Sequence, residues 1–405
     1  MRSLRRRLAL ALVAGFALTL VLAAGALGLD WTSPQRVTDT RPSQLTALHE
    51  LAGSDGALHL VHGRLGPRPV DDRLLYQRSS RGGATWSEET ILFASSAANR
   101  FLVPNFAIVA DGDLVVVAFR TRGDGTSLWS RRSEDGGKHW RPKQLLDDTR
   151  LQRGIGVPAL SISGETVVAA WTNRSNGRIL LRRSTDGART WSPARVMGSS
   201  DLSIECEDTL LDGLVGLAAS GRVVHLAWSD GKDGACLSNA LRLRTSRDGG
   251  RTWSAQRTAS TGRTFGWPEL TARGAHLLMT LQEPDGGFIL VRSKDGGRTF
   301  TERAFAATGD RALGAADVLL PGGDVAWLVY ADLGYDRDAV EDSRIRFRIS
   351  DDRGKTWGPG TTVVGTTDKL RQAANLAANG ARPVVVFQSG RLDGSTADIV
   401  VVRAK

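Results

Sequence analysis

A repeated eight-residue segment constrains the fold of this chain more than any other feature of its sequence. Residues 184–191 read Ser-Thr-Asp-Gly-Ala-Arg-Thr-Trp, and clear copies begin at Ser133, Ser246, Ser293 and Ser350. A degenerate copy at residues 79–86 has Arg81 in place of the Asp. The copies end on aromatic residues 47 to 62 positions apart, namely Trp86, Trp140, Trp191, Trp253, Phe300 and Trp357. This period suits a four-stranded propeller blade and is too irregular for a helical solenoid.

The residue types of the segment predict a tight hairpin turn. An Asp at the start of a turn accepts hydrogen bonds from following backbone amides. The glycines allow the positive φ that a short hairpin requires, and the terminal aromatic residue buries a large apolar area against a neighbouring blade. We therefore interpret the segments as structural and assign them no catalytic role.

Four strand patterns recur between consecutive copies, and they predict how many blades the chain contains. The third pattern, a β-branched run such as residues 166–171, appears seven times, so we favour seven blades, with six as the alternative. The last blade lacks an outer strand of its own, but residues 31–37 echo residues 191–196. We expect this N-terminal strand to complete the last blade and close the ring, which removes an exposed sheet edge.

The pattern Ser-x-Asp-x-Gly-x-Thr-Trp resembles the Asp-box, or bacterial neuraminidase repeat, of sialidases and related propellers. The six copies span residues 79–357 and are specific for the fold, whereas the box occurs in propellers of many functions. The resemblance implies an all-β protein with a single β-propeller of four-stranded blades. Sialidase catalytic domains have six blades, so a seventh blade departs from that family.

The N-terminal residues predict export. Arg2, Arg5, Arg6 and Arg7 precede an uncharged apolar run over residues 8–29, and small residues at 24–26 suit a signal peptidase. The run is also long enough to span a bilayer, so a cleaved signal and a retained membrane anchor are both open. We assign residues 1–29 to this segment and residues 30–405 to the propeller, in a protein that is secreted, periplasmic or anchored to the membrane.

Charge and motif content exclude several classes of function. The net charge of +10 includes the four n-region arginines, and the remaining basic residues are interleaved with acids. Such a distribution is not that of a nucleic-acid tail, so we expect no nucleic-acid partner. The six histidines show no metal-ligand spacing, and no glycine-rich loop suits a cofactor phosphate, so we expect neither a metal nor a cofactor. We also expect the protein to be a monomer.

The chain has two cysteines, Cys206 and Cys236. Both fall in predicted loops on the same side of the fourth blade, and an oxidising compartment favours a disulfide between them. Such a bond would contribute about 2–4 kcal/mol by tying two loops together.

Arginines recur where the chain leads into the predicted inner strands, on the side of the ring opposite the boxes. A cup of guanidinium groups suits an anionic ligand, because guanidinium pairs with carboxylate or phosphate through two hydrogen bonds. The alternative is that these arginines pair with nearby acids and hold loops in place. Trp267 could stack on a sugar in this cup or pack in the core. The arginines are Arg41, Arg100, Arg153, Arg263, Arg311 and Arg371.

The resemblance to sialidases implies candidates for catalysis. Sialidases use a Tyr nucleophile with a nearby Glu, an Asp acid/base and three arginines on the substrate carboxylate. Tyr335 would be the nucleophile, with Glu205 or Glu207 as its partner. Asp72 or Asp124 would be the acid. The sequence leaves three hypotheses open: a propeller that binds a glycan or another anionic ligand, a sialidase-type glycoside hydrolase, or an interaction scaffold at the cell envelope.

Overall fold

The computed structural model describes residues 29–38, 45–150, 154–200, 214–231, 238–262, 264–336, 339–366, 369–391 and 397–405. In this part of the chain, 28 strands form seven four-stranded antiparallel sheets, with one short 3-10 turn at Pro69–Asp71. The chain is therefore an all-β, seven-bladed propeller, which confirms the predicted fold. Among the described residues, no helix is long and apolar enough to cross a membrane.

Each blade is a meander that starts at the centre of the ring and runs outward. Blades 1 to 4 contain β2 (Leu45–Ser54), β3 (Ala57–Leu65), β4 (Arg73–Ser79), β5 (Thr90–Ala94); β6 (Arg100–Asp111), β7 (Leu114–Arg122), β8 (Thr126–Ser133), β9 (Gln144–Thr149); β10 (Ala159–Ser163), β11 (Thr166–Asn173), β12 (Arg178–Ser184), β13 (Arg195–Ser199); and β14 (Val215–Ser220), β15 (Val223–Asp230), β16 (Ala240–Ser246), β17 (Arg257–Ser260).

Blades 5 to 7 complete the ring in the same way. Their strands are β18 (Phe265–Arg273), β19 (His276–Gln282), β20 (Phe288–Ser293), β21 (Thr301–Phe305); β22 (Arg311–Gly322), β23 (Val325–Asp336), β24 (Ala339–Ser350), β25 (Thr361–Thr366); and β26 (Leu370–Asn379), β27 (Arg382–Gly390), β28 (Ala397–Arg403), with β1 (Gln35–Arg36) as the outer strand.

The ring is closed by the N-terminal strand, as the sequence predicts. Gln35 pairs with Val401 and Arg36 with Val400, so β1 is the fourth strand of blade 7. The side chain of Gln35 also donates from Nε2 to the carbonyl of Ala84 in blade 1, over 3.1 Å. One strand from the start of the propeller thus joins its last blade to its first.

The hydrophobic core is divided into seven clusters, one at each junction between neighbouring blades. The terminal aromatic residue of each Asp-box packs against the preceding blade. For example, the ring of Trp140 in blade 2 meets Tyr76 of blade 1 edge to face, with centroids 4.9 Å apart. Trp191, Trp253 and Trp357 take the equivalent position in their own clusters. The aromatic residue of the repeat therefore packs between neighbouring blades.

In the five boxes that contain both residues, the serine and aspartate side chains form hydrogen bonds within the turn. Ser184 Oγ donates to Asp186 Oδ1 over 2.7 Å and accepts the Ala188 amide over 2.9 Å. Asp186 in turn accepts the amides of Arg189 and Thr190 and the Thr190 hydroxyl. Although partial burial opposes the shift, hydrogen bonds from Thr190 and Ser184 lower the pKa of Asp186 to about 2.

Outer strands begin several residues after the box aromatic, later than the sequence pattern predicts. In blade 3 the alternation starts at Trp191, yet β13 pairs with β12 only from Arg195 onward. Pro193 has no amide proton to contribute to the ladder, and Trp191 packs into the junction with blade 2. The segment between them is therefore a connection from the turn to the outer strand.

A narrow channel runs along the axis of the propeller. Its walls are the inner strands β2, β6, β10, β14, β18, β22 and β26, each of which contacts the next around the ring. The channel encloses about 490 Å³. Its two ends differ: one faces the Asp-box turns, and the other faces the connections that lead into the inner strands.

Candidate functional site

The axial face is the end of the propeller at which the chain leads into the inner strands and turns from each second strand to the third. Arginine stands at this end of three inner strands in the part that the structure describes. Arg100 is the first residue of β6, Arg311 the first of β22, and Arg371 the second of β26. The blade topology thus places all three at the same end of the channel.

Two arginines lie opposite each other at the axial end of blade 2. Arg100 on β6 and Arg122 on β7 are direct cross-strand neighbours. Like charges in directly opposite positions of a sheet repel each other. The side chain of Arg100 is exposed, and among the described residues no carboxylate lies within ion-pair distance of its guanidinium. Arg100 therefore presents an exposed positive charge on this face, and Arg122 lies next to it on the neighbouring strand.

Arg311 is held by two carboxylates of its own blade. Its Nε donates to Asp332, and its Nη2 donates to Asp342 Oδ1 over 2.7 Å and to the Asp332 carbonyl over 3.0 Å. The guanidinium of Arg311 lowers the pKa of Asp342. Arg311 therefore matches the alternative that the sequence leaves open, an arginine that pairs with nearby acids.

Arg371 is almost buried, with 9% of its surface exposed. Its guanidinium carbon lies 6.0 Å from the centre of the Phe387 ring, a distance at which a cation–π interaction is favourable. Its backbone amide donates to Ser343 Oγ over 2.7 Å. The side chain thus packs on its own blade 7, and the backbone of Arg371 is bound to the neighbouring blade 6.

Asp72 lies on the axial face in the turn between β3 and β4. The carboxylate accepts the Gly66 amide over 3.0 Å, and only 8% of the residue is exposed. Burial raises the pKa of Asp72 despite the hydrogen bond from Gly66 and the nearby charges of Arg73 and Arg100. A carboxyl group with a raised pKa has the property that a general acid requires.

Tyr335 lies near the axial end of β23 and is partly exposed, at 36%. Its amide donates to the carbonyl of Asp310 over 2.8 Å, at the connection that leads into β22. In the described part of the chain, its hydroxyl has no hydrogen bond. Tyr335 is therefore accessible on the face where the sequence places it.

Several predicted site residues fall outside the described residues, so the structure does not test them. For Trp267 the structure gives the backbone, which lies in β18, but not the side chain. The residues outside the described ranges are Arg41, Arg153, Glu205, Cys206, Glu207, Cys236 and Arg263. Their roles in ligand binding, catalysis and disulfide formation stay predictions.

Three carboxyl groups inside the channel are not predicted by the sequence analysis. Glu50, Glu269 and Asp317 line the channel on β2, β18 and β22. Asp317 Oδ2 accepts the Leu376 amide of the next blade over 2.6 Å. Burial, with the neighbouring charge of Glu269, raises the pKa of Asp317 to about 8, and burial followed by the charges of Glu269 and Asp317 raises that of Glu50. A charged residue within an apolar strand is the one sequence signal that could have indicated them.

No group of three or more His, Cys, Asp or Glu side chains in the described ranges is arranged to hold a metal ion. The buried histidines are used in packing. His59 Nδ1 lies 2.7 Å from the Tyr76 hydroxyl, and His225 Nδ1 lies 3.0 Å from Thr245 Oγ1. Burial lowers the pKa of both histidines to about 4, so they are neutral near pH 7.

Comparison with known protein families finds a match between residues 21–213 and the BNR repeat-like domain. No curated protein matches the chain. Solved structures with the same fold include the phage phi92 endosialidase, with a TM-score of 0.54 and 14% sequence identity over 93% of this chain and 69% of that one.

Two other solved structures share the fold across most of this chain. A variant of the NanB sialidase from Streptococcus pneumoniae has a TM-score of 0.53 and 10% identity, over 95% of this chain and 72% of that one. A variant of an α-L-arabinofuranosidase from Fusarium graminearum, in complex with an iminosugar inhibitor, has a TM-score of 0.52 and 12% identity, over 93% and 98%. At these identities the likeness shows the fold.

Proposed function

Because the chain is a sialidase-like β-propeller with Asp-box repeats, we propose that it binds a carboxylated glycan or a similar anionic ligand on its axial face. The sialidase and arabinofuranosidase folds above support a role connected with glycans. The Asp-box turns all lie at the opposite end of the ring.

The observation that carries this proposal is the pair formed by Arg100 and Arg122. Arg100 is exposed, and Arg122 lies opposite it on the neighbouring strand. Guanidinium groups bind carboxylate through two parallel hydrogen bonds, so this end of blade 2 suits an anionic ligand. Arg371 adds a third guanidinium at the same end of the channel, already ordered by its packing on Phe387.

Arg311 has a different role in this proposal. Its two carboxylate partners neutralise its charge, so it stabilises the axial end of blade 6 and contributes little to attraction of an anion. The anion-binding part of the face then centres on blade 2 and blade 7. Asp72, beside Arg100, would contact the hydroxyl groups of a glycan.

Turnover of the bound glycan is the second candidate function. The accessible hydroxyl of Tyr335 and the raised pKa of Asp72 are the properties that a Tyr nucleophile and a carboxylic acid would require. Hydrolysis of a fluorogenic sialic-acid glycoside, measured for the parent and for Tyr335→Phe, tests this candidate. Turnover that Tyr335→Phe abolishes would establish an exo-sialidase, and absence of turnover in the parent would count against it.

Calorimetric titration with a matched pair of sugars tests binding itself. Sialyllactose carries the carboxylate, and its methyl ester is the same sugar with that negative charge removed. We expect sialyllactose to bind at least about tenfold more tightly, a difference of about 1.4 kcal/mol. Equal affinity for the two sugars, or binding of neither, would contradict the proposal of a carboxylate site.

A further inference from the structure

The Asp-box face is defined as the end of the propeller formed by the six boxes and the turns between each first and second strand. It carries exposed basic side chains on every blade, and in blades 1, 2, 3 and 6 exposed carboxylates accompany them, namely Asp55, Asp111, Asp113, Glu165, Asp324 and Asp351. Each box carries at least one exposed basic side chain, namely Arg81, Lys138, Arg189, Arg251, Arg298 and Lys355. Blade 7 has no box, but the exposed Lys405 follows β28 at the same end. Five of the six box residues hold equivalent positions in the repeat.

Positive charge is densest on blades 4 and 5. Their turns on this face expose three cations each, which are Arg222, Arg247 and Arg251 in blade 4 and Arg273, Lys294 and Arg298 in blade 5. Carboxylates of the same region are Asp248, Asp295 and Glu302. The first two are bound within their own turns, where each accepts backbone amides of its box.

The N-terminal segment leaves the propeller on this same face. Trp31 bridges to Ala404 beyond the end of β28, and the Asp30 carbonyl accepts the Lys405 amide over 2.8 Å. Arg403, the last residue of β28, lies against Gly83 in the box of blade 1. Residues 8–29 of the sequence are uncharged and apolar, and the chain therefore passes from this segment into the propeller at the Asp-box end of blade 7.

We propose that the Asp-box face lies on the surface of an anionic phospholipid bilayer that holds the N-terminal apolar segment. The segment would fix the rim at blade 7, and the cations of blades 4 and 5 would contact lipid headgroups across the ring. Each Lys or Arg close to an anionic membrane surface strengthens binding to it. The axial face and its ligand site then point away from the membrane.

Geometry favours a bilayer over a soluble polyanion as the partner. The cations stand on separate turns of neighbouring blades at one end of the ring. In a laterally fluid bilayer, anionic lipids can gather under each of these turns. The exit of an apolar segment on the same face adds the second point of attachment. The inference is independent of any activity on the axial face.

Lysine acylation of the full chain in lipid nanodiscs tests this orientation. The reporters are Lys294 and Lys355 on the Asp-box face, and the internal reference is Lys369, which is exposed and leads into β26 on the axial face. We expect the ratio of reporter to reference labelling to be about fivefold lower in discs with anionic lipid than in zwitterionic discs, and to recover in high salt. Equal ratios in the two kinds of disc, or protection of Lys369 instead, would overturn the proposal.

Charge reversal separates the lipid interaction from a general effect of charge. Arg298→Glu, in the box that contains Lys294, should restore labelling of Lys294 in anionic discs. Arg178→Glu is the matched control, since Arg178 is exposed at the axial end of β12. Equal effects of the two variants would contradict the proposal. So would protection of Lys294 by a soluble polyanion in zwitterionic discs, which would identify a soluble polymer as the partner.

Discussion

The two faces of the propeller are built on opposite principles. On the Asp-box face the same bonds recur from blade to blade: the box serine accepts the amide four residues on in blades 1 to 6, over 2.8–2.9 Å. On the axial face the three described arginines that begin inner strands differ in their contacts. Arg311 is paired with carboxylates, Arg371 packs on an aromatic ring, and Arg100 is exposed.

This difference separates the residues that specify the fold from those that give it a function. A turn that must recur in every blade tolerates little change, whereas loops on a rigid scaffold can vary freely and carry binding groups. Even the degenerate box of blade 1 keeps its serine bond to the Gly83 amide, although Arg81 replaces the Asp. Substitutions on the Asp-box face should therefore reduce stability, and substitutions of exposed axial residues should change only ligand binding.

The largest effect should come from pH, which acts on the interior that both faces share. Burial lowers the pKa of four histidines to about 3 or 4, so below pH 6.5 protons bind the unfolded chain more readily than the native one. The free energy of unfolding should therefore fall as pH drops from 6.5 to about 4, by about 1.4 kcal/mol per pH unit for each histidine. They are His49, His59, His62 and His225.

The channel carboxyls act in the opposite direction. The native state keeps Asp317 protonated below about pH 8, while the unfolded chain does not take up that proton until about pH 4. Stability should therefore rise as pH falls from 8 to 6.5, and urea unfolding should show a maximum near pH 6.5. Asp317→Asn should flatten the alkaline side and His225→Gln should reduce the loss on the acid side. A profile that neither variant changes would exclude these groups as its source.

The next largest effect is expected for Gly137→Ala in the box of blade 2. Gly137 has a φ of +82°, and a Cβ atom there would lie 1.8 Å from the Tyr76 hydroxyl of blade 1. Strain and overpacking together should cost about 3–4 kcal/mol. Gly164→Ala is the control, since φ is also positive there but no atom lies within 4 Å. Thermal unfolding should show a much smaller loss for the control, and equal losses would mean that the contact with Tyr76 is unimportant.

A smaller loss is expected for Asp186→Ala in the box of blade 3. The change removes the acceptor for two backbone amides and one hydroxyl, and we expect the free energy of unfolding to fall by about 1–2 kcal/mol. Asp285→Ala, at an exposed turn on the axial face, should leave the urea midpoint unchanged. If the axial variant were the more destabilising of the two, the division between the faces would fail.

The smallest effect sharpens the comparison within the axial face. Arg311→Ala leaves Asp332 and Asp342 without their shared cation and should lower the free energy of unfolding by about 1 kcal/mol, since the group is partly exposed. Arg100→Ala should cost nothing measurable. Chemical unfolding of both variants checks this prediction, and a stability loss for Arg100→Ala would assign it a structural role as well.

The fold could be predicted from the sequence because every blade repeats its own signal. The spacing of the aromatic residues, the β-branched runs and the similarity of residues 31–37 to residues 191–196 all indicate local structure. The closing strand is predicted because the last blade has only three strands of its own. Local signals are enough when each repeat contacts only its neighbours.

The site could be predicted only in part, because its contacts join residues far apart in the chain. The sequence places Arg311 and Tyr335 near the axial end, but it does not show that Asp332 and Asp342 neutralise Arg311. The cross-strand position of Arg122 opposite Arg100 depends on the register of blade 2, which has an irregularity between Phe101 and Phe106. Register irregularities of this kind cannot be read from period-two patterns.

Binding of sialyllactose to two arginine variants, one on each face, tests most directly whether the axial face is the functional one. Arg100→Ala removes an exposed axial guanidinium, and Arg298→Ala removes an exposed guanidinium from a box turn. We predict that Arg100→Ala weakens binding about tenfold, or by about 1.4 kcal/mol, while Arg298→Ala leaves the affinity unchanged. Weaker binding in Arg298→Ala with unchanged affinity in Arg100→Ala would place the ligand on the Asp-box face and contradict the account.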